Sequence, residues 1–168
     1  DCLGTPADIA EYYPGIENAE PGDIMVLAPS NDKGSKVTHS GMVYDQNVFG
    51  VVSTFPTGPN GDVMGETTIP DSEYPQAIGL SGKVPIKVSL ENGSIKVNDW
   101  LTTSSTPGVA MKATRRSRVI GRALESYDGS IQISFGTSQQ EKYRLEAGLH
   151  IGKDPVRPPL GIGKILIF

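Results

Sequence analysis

Residues 79–125 read GLSGKVPIKVSLENGSIKVNDWLTTSSTPGVAMKATRRSRVIGRALE, and this stretch decides the fold. Val84, Ile86, Val88 and Leu90 alternate with polar or small residues, which is the period of a strand with one buried face. Asn92-Gly93 follows, then Ile95 and Val97 alternate again. Asn-Gly tolerates the positive φ of a two-residue type I′ turn, so the pattern predicts a hairpin. Pairing Glu91 with Ser94 would set Leu90 opposite Ile95 and Val88 opposite Val97 on one face.

Outward from this stretch the chain keeps reading as β. Ile24–Leu27, 37–44 and 48–53 are expected strands before it; 100–103, 109–113 and 119–124 are expected within it. Asp128-Gly129 predicts a further turn into a strand over 131–135. The single helix signal is Ser138 to Ala147, where Ser138 and Glu141 have capping-box spacing and Gly148 can close the end. A proline-rich bend over 154–159 precedes the apolar run Ile165–Phe168, which a free edge would leave prone to aggregation; it is expected to be paired or covered by a neighbouring chain. The loop over 55–75, rich in Pro, Gly and Asp, is long enough for a binding loop or an inter-subunit contact.

A repeat runs through this pattern. Pro21-Gly22-Asp23 followed by Ile24–Leu27 resembles Val97-Asn98-Asp99 followed by Trp100–Thr103, and residues 48–53 (VFGVVS) resemble 119–124 (VIGRAL). Two similar β units packed in one domain would give a glycine-rich chain its core. The expected fold class is therefore all-β with one short helix near the C-terminus. Its expected divisions are an N-terminal arm (1–22), a β-rich core (23–137), and the helix with a last strand (138–168).

Composition narrows function. The 168 residues carry a net charge of −4 with 20 glycines and 13 prolines, which suits short strands joined by turns. Basic residues are scattered apart from Arg115, Arg116 and Arg118, read as a solvated turn; no concentrated basic face suggests nucleic acid. No apolar run reaches the ~18 residues of a membrane helix. Cys2 is the lone cysteine, so no intrachain disulfide is possible. The chain opens on Asp1 rather than Met, and we read it as a trimmed or processed piece with its targeting signals upstream. His39 and His150 stand outside any ligand-spaced cluster, so neither a metal nor another cofactor is expected. Gly161-Ile162-Gly163-Lys164 lacks the spacing of a phosphate loop, and Gly79-Leu80-Ser81-Gly82 is one position short of a nucleophile elbow.

One acidic pair has distinctive company. Asp8 and Glu11 lie in ADIAEYY (7–13); they would share a face on a helical turn and point to opposite faces on a strand. Together with the Pro-Gly-Asp strand and GVVST (50–54), this segment resembles the start of the self-cleaving C-terminal domains of phage neck-appendage and tail-spike proteins. These are the intramolecular-chaperone autoprocessing domains of the peptidase G2 type. VPIKVS, NDWLTTSSTPGVAMKA and VIGRALE look like the same broad group in fibre and surface proteins, so the resemblance spans roughly residues 6 to 135.

The resemblance implies a homotrimeric module at the end of an extracellular or virion-surface fibre, which guides folding of the upstream β-structured shaft of the same polypeptide. It also implies a scissile bond at Ala7–Asp8, with Asp8 and Glu11 as the catalytic carboxylates. A carboxylic acid can protonate a departing amide nitrogen and a carboxylate can activate water, so the residue types suit the task. Where a serine could attack its own peptide bond, Ala7 offers no nucleophile. Two readings stay open: a non-cleaving trimeriser and a self-cleaving endopeptidase. A third class is a carbohydrate- or receptor-binding tip using the 55–75 loop and Tyr74, and Asp23 and Asp99 are read as turn residues.

Overall fold

A computed structural model describes residues 8–28, 36–53, 63–64, 69–129 and 162–167. The chain is all-β, with two sheets and, among the described residues, only a short 3-10 turn at Asp71–Glu73. In chain order the strands are β1 (Asp8–Pro14), β2 (Ile24–Leu27), β3 (Val37–His39), β4 (Val48–Val52), β5 (Val63–Met64) and β6 (Pro75–Gly82). They continue with β7 (Val84–Ser89), β8 (Trp100–Thr103), β9 (Ala110–Lys112), β10 (Gly121–Arg122) and β11 (Ile162–Ile167). The expected strand over 131–135, the helix over 138–147 and the bend over 154–159 lie outside the described residues.

The first sheet has the order β3-β2-β4-β6-β1-β5, and the second β10-β8-β9-β7-β11. A parallel bridge between Gly15 and Val37 joins the end of β1 to β3, so β1, β2, β3, β4 and β6 close into a small barrel. A bridge between Ala123 and Ile167 closes β7, β8, β9, β10 and β11 in the same way.

The two barrels are the same structure twice, strand for strand. Met25 pairs with Gly50 and His39 in the first; Leu101 pairs with Gly121 and Lys112 in the second. Glu11 faces Ile78 as Val84 faces Ile167. The turns before β2 and β8 also match. Asp23 N–H donates to Glu20 O at 3.0 Å while Asp23 Oδ2 accepts from Glu20 N–H at 2.8 Å. Asp99 N–H donates to Lys96 O at 3.0 Å, and Asp99 Oδ2 accepts from Lys96 N–H at 2.8 Å. The preceding residue has positive φ in each, Gly22 at 93° and Asn98 at 74°. The repeat legible in two short segments therefore extends to five strands.

What differs is the outer face. In the first barrel Met25 and Val52 point inward with Val37 and Ile78, while Ile24, Val48 and Val51 point outward into a cluster with Val84, Ile86, Val88 and Leu101 of the second barrel. Strands β2 and β4 are thus buried on both faces, which is why they read as continuous apolar runs rather than alternating ones. The second barrel's counterparts of Ile24 and Val51 are Trp100 and Arg122, and Trp100 is 45% exposed.

Two expectations need correction. The hairpin around Asn92-Gly93 does not form. β7 pairs with β11 and β9, Ile95 bridges to Tyr127, and Val97 is exposed. The chain does turn there, with Gly93 N–H bonded to Leu90 O at 2.8 Å, but the Asn92 amide donates to Tyr44 Oη and Lys112 O and so leads the chain away toward β9. The strand expected over 37–44 ends at His39, because Ser40 turns to pair with Gly108 and Tyr44 takes a φ of 57°. The N-terminal arm contains a strand held on both sides, by β6 and β5.

The terminal run is covered by its own chain: β11 pairs along β7 from Ile162↔Ser89 to Ile167↔Val84. The matched turns allow a direct comparison. Asp23 is 5% exposed and its carboxylate serves the turn and two cations, so Asp23→Ala should cost about 3 kcal/mol of unfolding free energy in urea titrations. Asp99→Ala, at the more open copy, should cost only about 1 kcal/mol.

Candidate functional site

Asp8 opens β1 opposite Gly82, half-buried against β6. Its Oδ1 accepts from Ser53 Oγ at 3.1 Å. Its Oδ2 is sealed from solvent without a hydrogen-bond partner, close enough to β6 that a Cβ on Gly79 would stand 2.9 Å away. Burial pushes the Asp8 carboxyl above its ordinary range, and the bonds from Ser53 and its own backbone only partly offset this. A carboxyl in that state gives up its proton at a higher pH than a solvated one.

Glu11 goes elsewhere. The register shift in this pair skips Leu80 on β6, so β1 keeps its own alternation and Glu11 projects from the opposite face to Asp8. There it accepts a hydrogen bond from Tyr13 Oη at 2.8 Å, and the Tyr13 ring meets Phe49 edge-on with centroids 4.8 Å apart. The strand geometry therefore separates the two carboxylates within one chain. Ala7, the other side of the expected scissile bond, lies outside the described residues, as do Cys2 and His150.

Among the described residues the densest charge cluster is one that the sequence did not single out. Asp23 Oδ2 meets His39 Nε2 at 3.0 Å, and Asp23 Oδ1 meets Lys87 Nζ at 2.7 Å. His39 Nδ1 also meets Glu17 Oε1 at 2.9 Å, and Lys87 Nζ meets Glu20 Oε2 at 2.8 Å. Burial alone would lower the His39 pKa, but the bonds to Glu17 and Asp23 outweigh it and hold the imidazolium form to higher pH. Lys87 behaves likewise through Asp23 and Glu20. Glu17 is lowered by the Thr38 hydroxyl and by His39.

Gly108 packs directly over the pair. A Cβ there would lie 2.9 Å from both Asp23 Oδ1 and His39 Cδ2, and φ is +72°. Lys87 and Gly108 belong to the second barrel, so this cluster is a clasp between barrels. The signal available in the sequence was the repeat itself: Lys112 stands where His39 stands and pairs with Asp99 at 2.9 Å. Asp23 and Asp99 are turn residues as expected, with this pairing added.

The other candidates are more dispersed. Tyr74 is partly exposed after the 3-10 turn, and its backbone O accepts from Gly15 N–H. Residues 54–62 and 65–68 of the long loop lie outside the described residues. Arg115, Arg116 and Arg118 are exposed; Arg115 stacks on Tyr44 at 4.1 Å and Arg118 donates to Gln46 O at 2.8 Å. Among the described residues no group of three His, Cys, Asp or Glu could hold a metal ion, and no helix is long and apolar enough to cross a membrane. No protein-family model, curated protein or solved structure matches the chain.

Two pH effects follow with opposite signs. Ionised Asp8 opposes folding, so the penalty is absent below 3.8 and complete above the raised folded value. Asp8→Asn should raise the Tm near neutrality and lose that advantage below 3.8. Protonated His39 favours folding, so its contribution is fully present below 6.5 and lost as pH rises through the higher folded value. His39→Gln should lower the Tm most at or below 6.5, with the gap narrowing as pH rises; calorimetry across pH checks both.

Proposed function

We propose that this chain is a trimerising, intramolecular-chaperone module that terminates an extracellular fibre or phage appendage. The observation that carries the reading is the seating of β1. The segment that resembles the autoprocessing motif is a strand bonded on both sides, by β6 and by β5. Chain upstream of Asp8 would enter the sheet at a fixed point and in a fixed direction, as a module that sets the register of a shaft requires. Beside that point Ile9 is 50% exposed and Leu80 45% exposed, on neighbouring strands at the bulge. Such a pair supports self-association at the point of entry. The terminal strand no longer argues for assembly, because β7 and Ala123 already cover it.

Self-cleavage at Ala7–Asp8 is a second reading, favoured by the half-buried carboxyl of Asp8, whose Oδ2 has no hydrogen-bond partner and whose pKa burial raises. Water would add to the Ala7 carbonyl carbon, the C–N bond would break, and a carboxylic acid would protonate the departing Asp8 nitrogen. Glu11 faces away, so it would have to be brought to the bond by a neighbouring copy.

Native mass spectrometry at micromolar concentration should find a trimer, and Ile9→Asp with Leu80→Asp should shift it to monomer while leaving the circular dichroism unchanged. A wild-type monomer overturns the module reading. Separately, expression with the natural upstream sequence should release a fragment beginning at Asp8. An intact band, unchanged by Asp8→Ala or Glu11→Ala, removes the peptidase reading and leaves the trimer untouched.

A further inference from the structure

The internal repeat exposes a site by comparison. In the first barrel the start of β2 and the residue after β3 are occupied: Ile24 N–H donates to Gly108 O at 2.8 Å, and Gly108 N–H donates to Ser40 O at 3.0 Å. Ile24 and Ser40 are both fully buried. The second barrel's equivalents are Trp100 and Ala113, since Ala113 N–H donates to Trp100 O as Ser40 N–H donates to Ile24 O. Among the described residues nothing plays the part of Gly108 there. A cavity of about 470 Å³ opens instead, with Trp100, Ala113, Arg115, Arg116, Ser117 and Val119 among its lining.

The chemistry at this place has changed between copies. After Ser40 the first barrel continues Gly41, Met42, Val43; after Ala113 the second continues Thr114, Arg115, Arg116. Across the strands, the apolar pair Ile24–Val51 is replaced by Trp100–Arg122, with the guanidinium 3.9 Å from the indole centroid. Arg122 is itself oriented by a bond to Asn98 Oδ1. One face of the indole is therefore covered, and the exposed remainder borders the cavity. Among the described residues no acidic side chain lines it. Arg116 has no ion-pair or hydrogen-bond partner among the described residues, and Ser117 Oγ is sealed from water with none.

We propose that this cavity binds an anionic saccharide. Arg116, with Arg115 at the rim, would take the anionic group through a planar, bidentate fork. A sugar ring would lie on the open part of Trp100, as amphipathic rings favour. A polypeptide would be the natural occupant of the first barrel's version, which is apolar and backbone-bonded; the cationic and aromatic replacements favour a charged sugar in the second. The proposal does not depend on the trimer.

Trp100 is the chain's single tryptophan, so its fluorescence reports on this place alone. The intact chain is titrated with trigalacturonic acid, a sulfated trisaccharide, maltotriose and an oligoglutamate peptide. A saturable change with either acidic sugar and none with maltotriose is expected, and which of the two responds identifies the anion. Arg116→Gln should weaken binding by about tenfold, and added salt should weaken it further. Arg116 is exposed, so its variant keeps the fold. No saturable response to either acidic sugar at millimolar concentration overturns the proposal. So does equal or tighter binding of oligoglutamate, which would make the cavity a peptide site, and so does binding that Arg116→Gln leaves unchanged.

Discussion

A single carboxylate, that of Asp23, holds three parts of the molecule together. It closes the turn that starts β2, it fixes His39 at the end of β3, and it receives Lys87 from the other barrel. A charge this deeply buried is tolerable only when its oxygens are engaged, and here a backbone N–H and two cationic side chains engage them. Gly108 then covers the group because any side chain would strike it. The docking of one barrel on the other is set by this demand for partners as much as by the apolar cluster beside it.

The duplicated plan explains why the two halves look so different in sequence. Inward positions are conserved in kind: Met25 and Leu101, Val52 and Ala123, Val37 and Ala110 fill corresponding barrel interiors. Outward positions answer to surroundings. Ile24 and Val51 meet the second barrel and are apolar, whereas Trp100 and Arg122 meet solvent and stack on each other. The same strand pair thus serves once as a contact face and once as an open face.

Much of the architecture was legible because it rests on local period and turn chemistry. The alternation Val84, Ile86, Val88 gives a strand with that face fully or nearly buried, and Asp23 and Asp99 mark two turns of one geometry. What the sequence could not reveal was long-range. Asn92-Gly93 has the composition of a hairpin turn, yet the Asn92 amide finds Tyr44 and Lys112, and tertiary bonding overrides the local preference. The clasp at Asp23 was hidden for the same reason, since Glu17, His39 and Lys87 are scattered along the chain. Asp8 and Glu11 were correctly framed as a pair whose geometry depends on backbone type. The extended backbone of β1 sends them apart, to Ser53 and Tyr13.

The insertion of Gly108 between Ile24 and Ser40 reaches further than a local contact. A loop from the later half of the chain supplies backbone bonds that the earlier half cannot make for itself, and Ile24 is buried in a cluster to which both halves contribute. Neither half is then an autonomous melting unit: loosening one withdraws bonds and cover from the other. The two barrels behave as a single cooperative body, and a fragment cut between β6 and β7 would present the apolar outer faces of β2 and β4 to water.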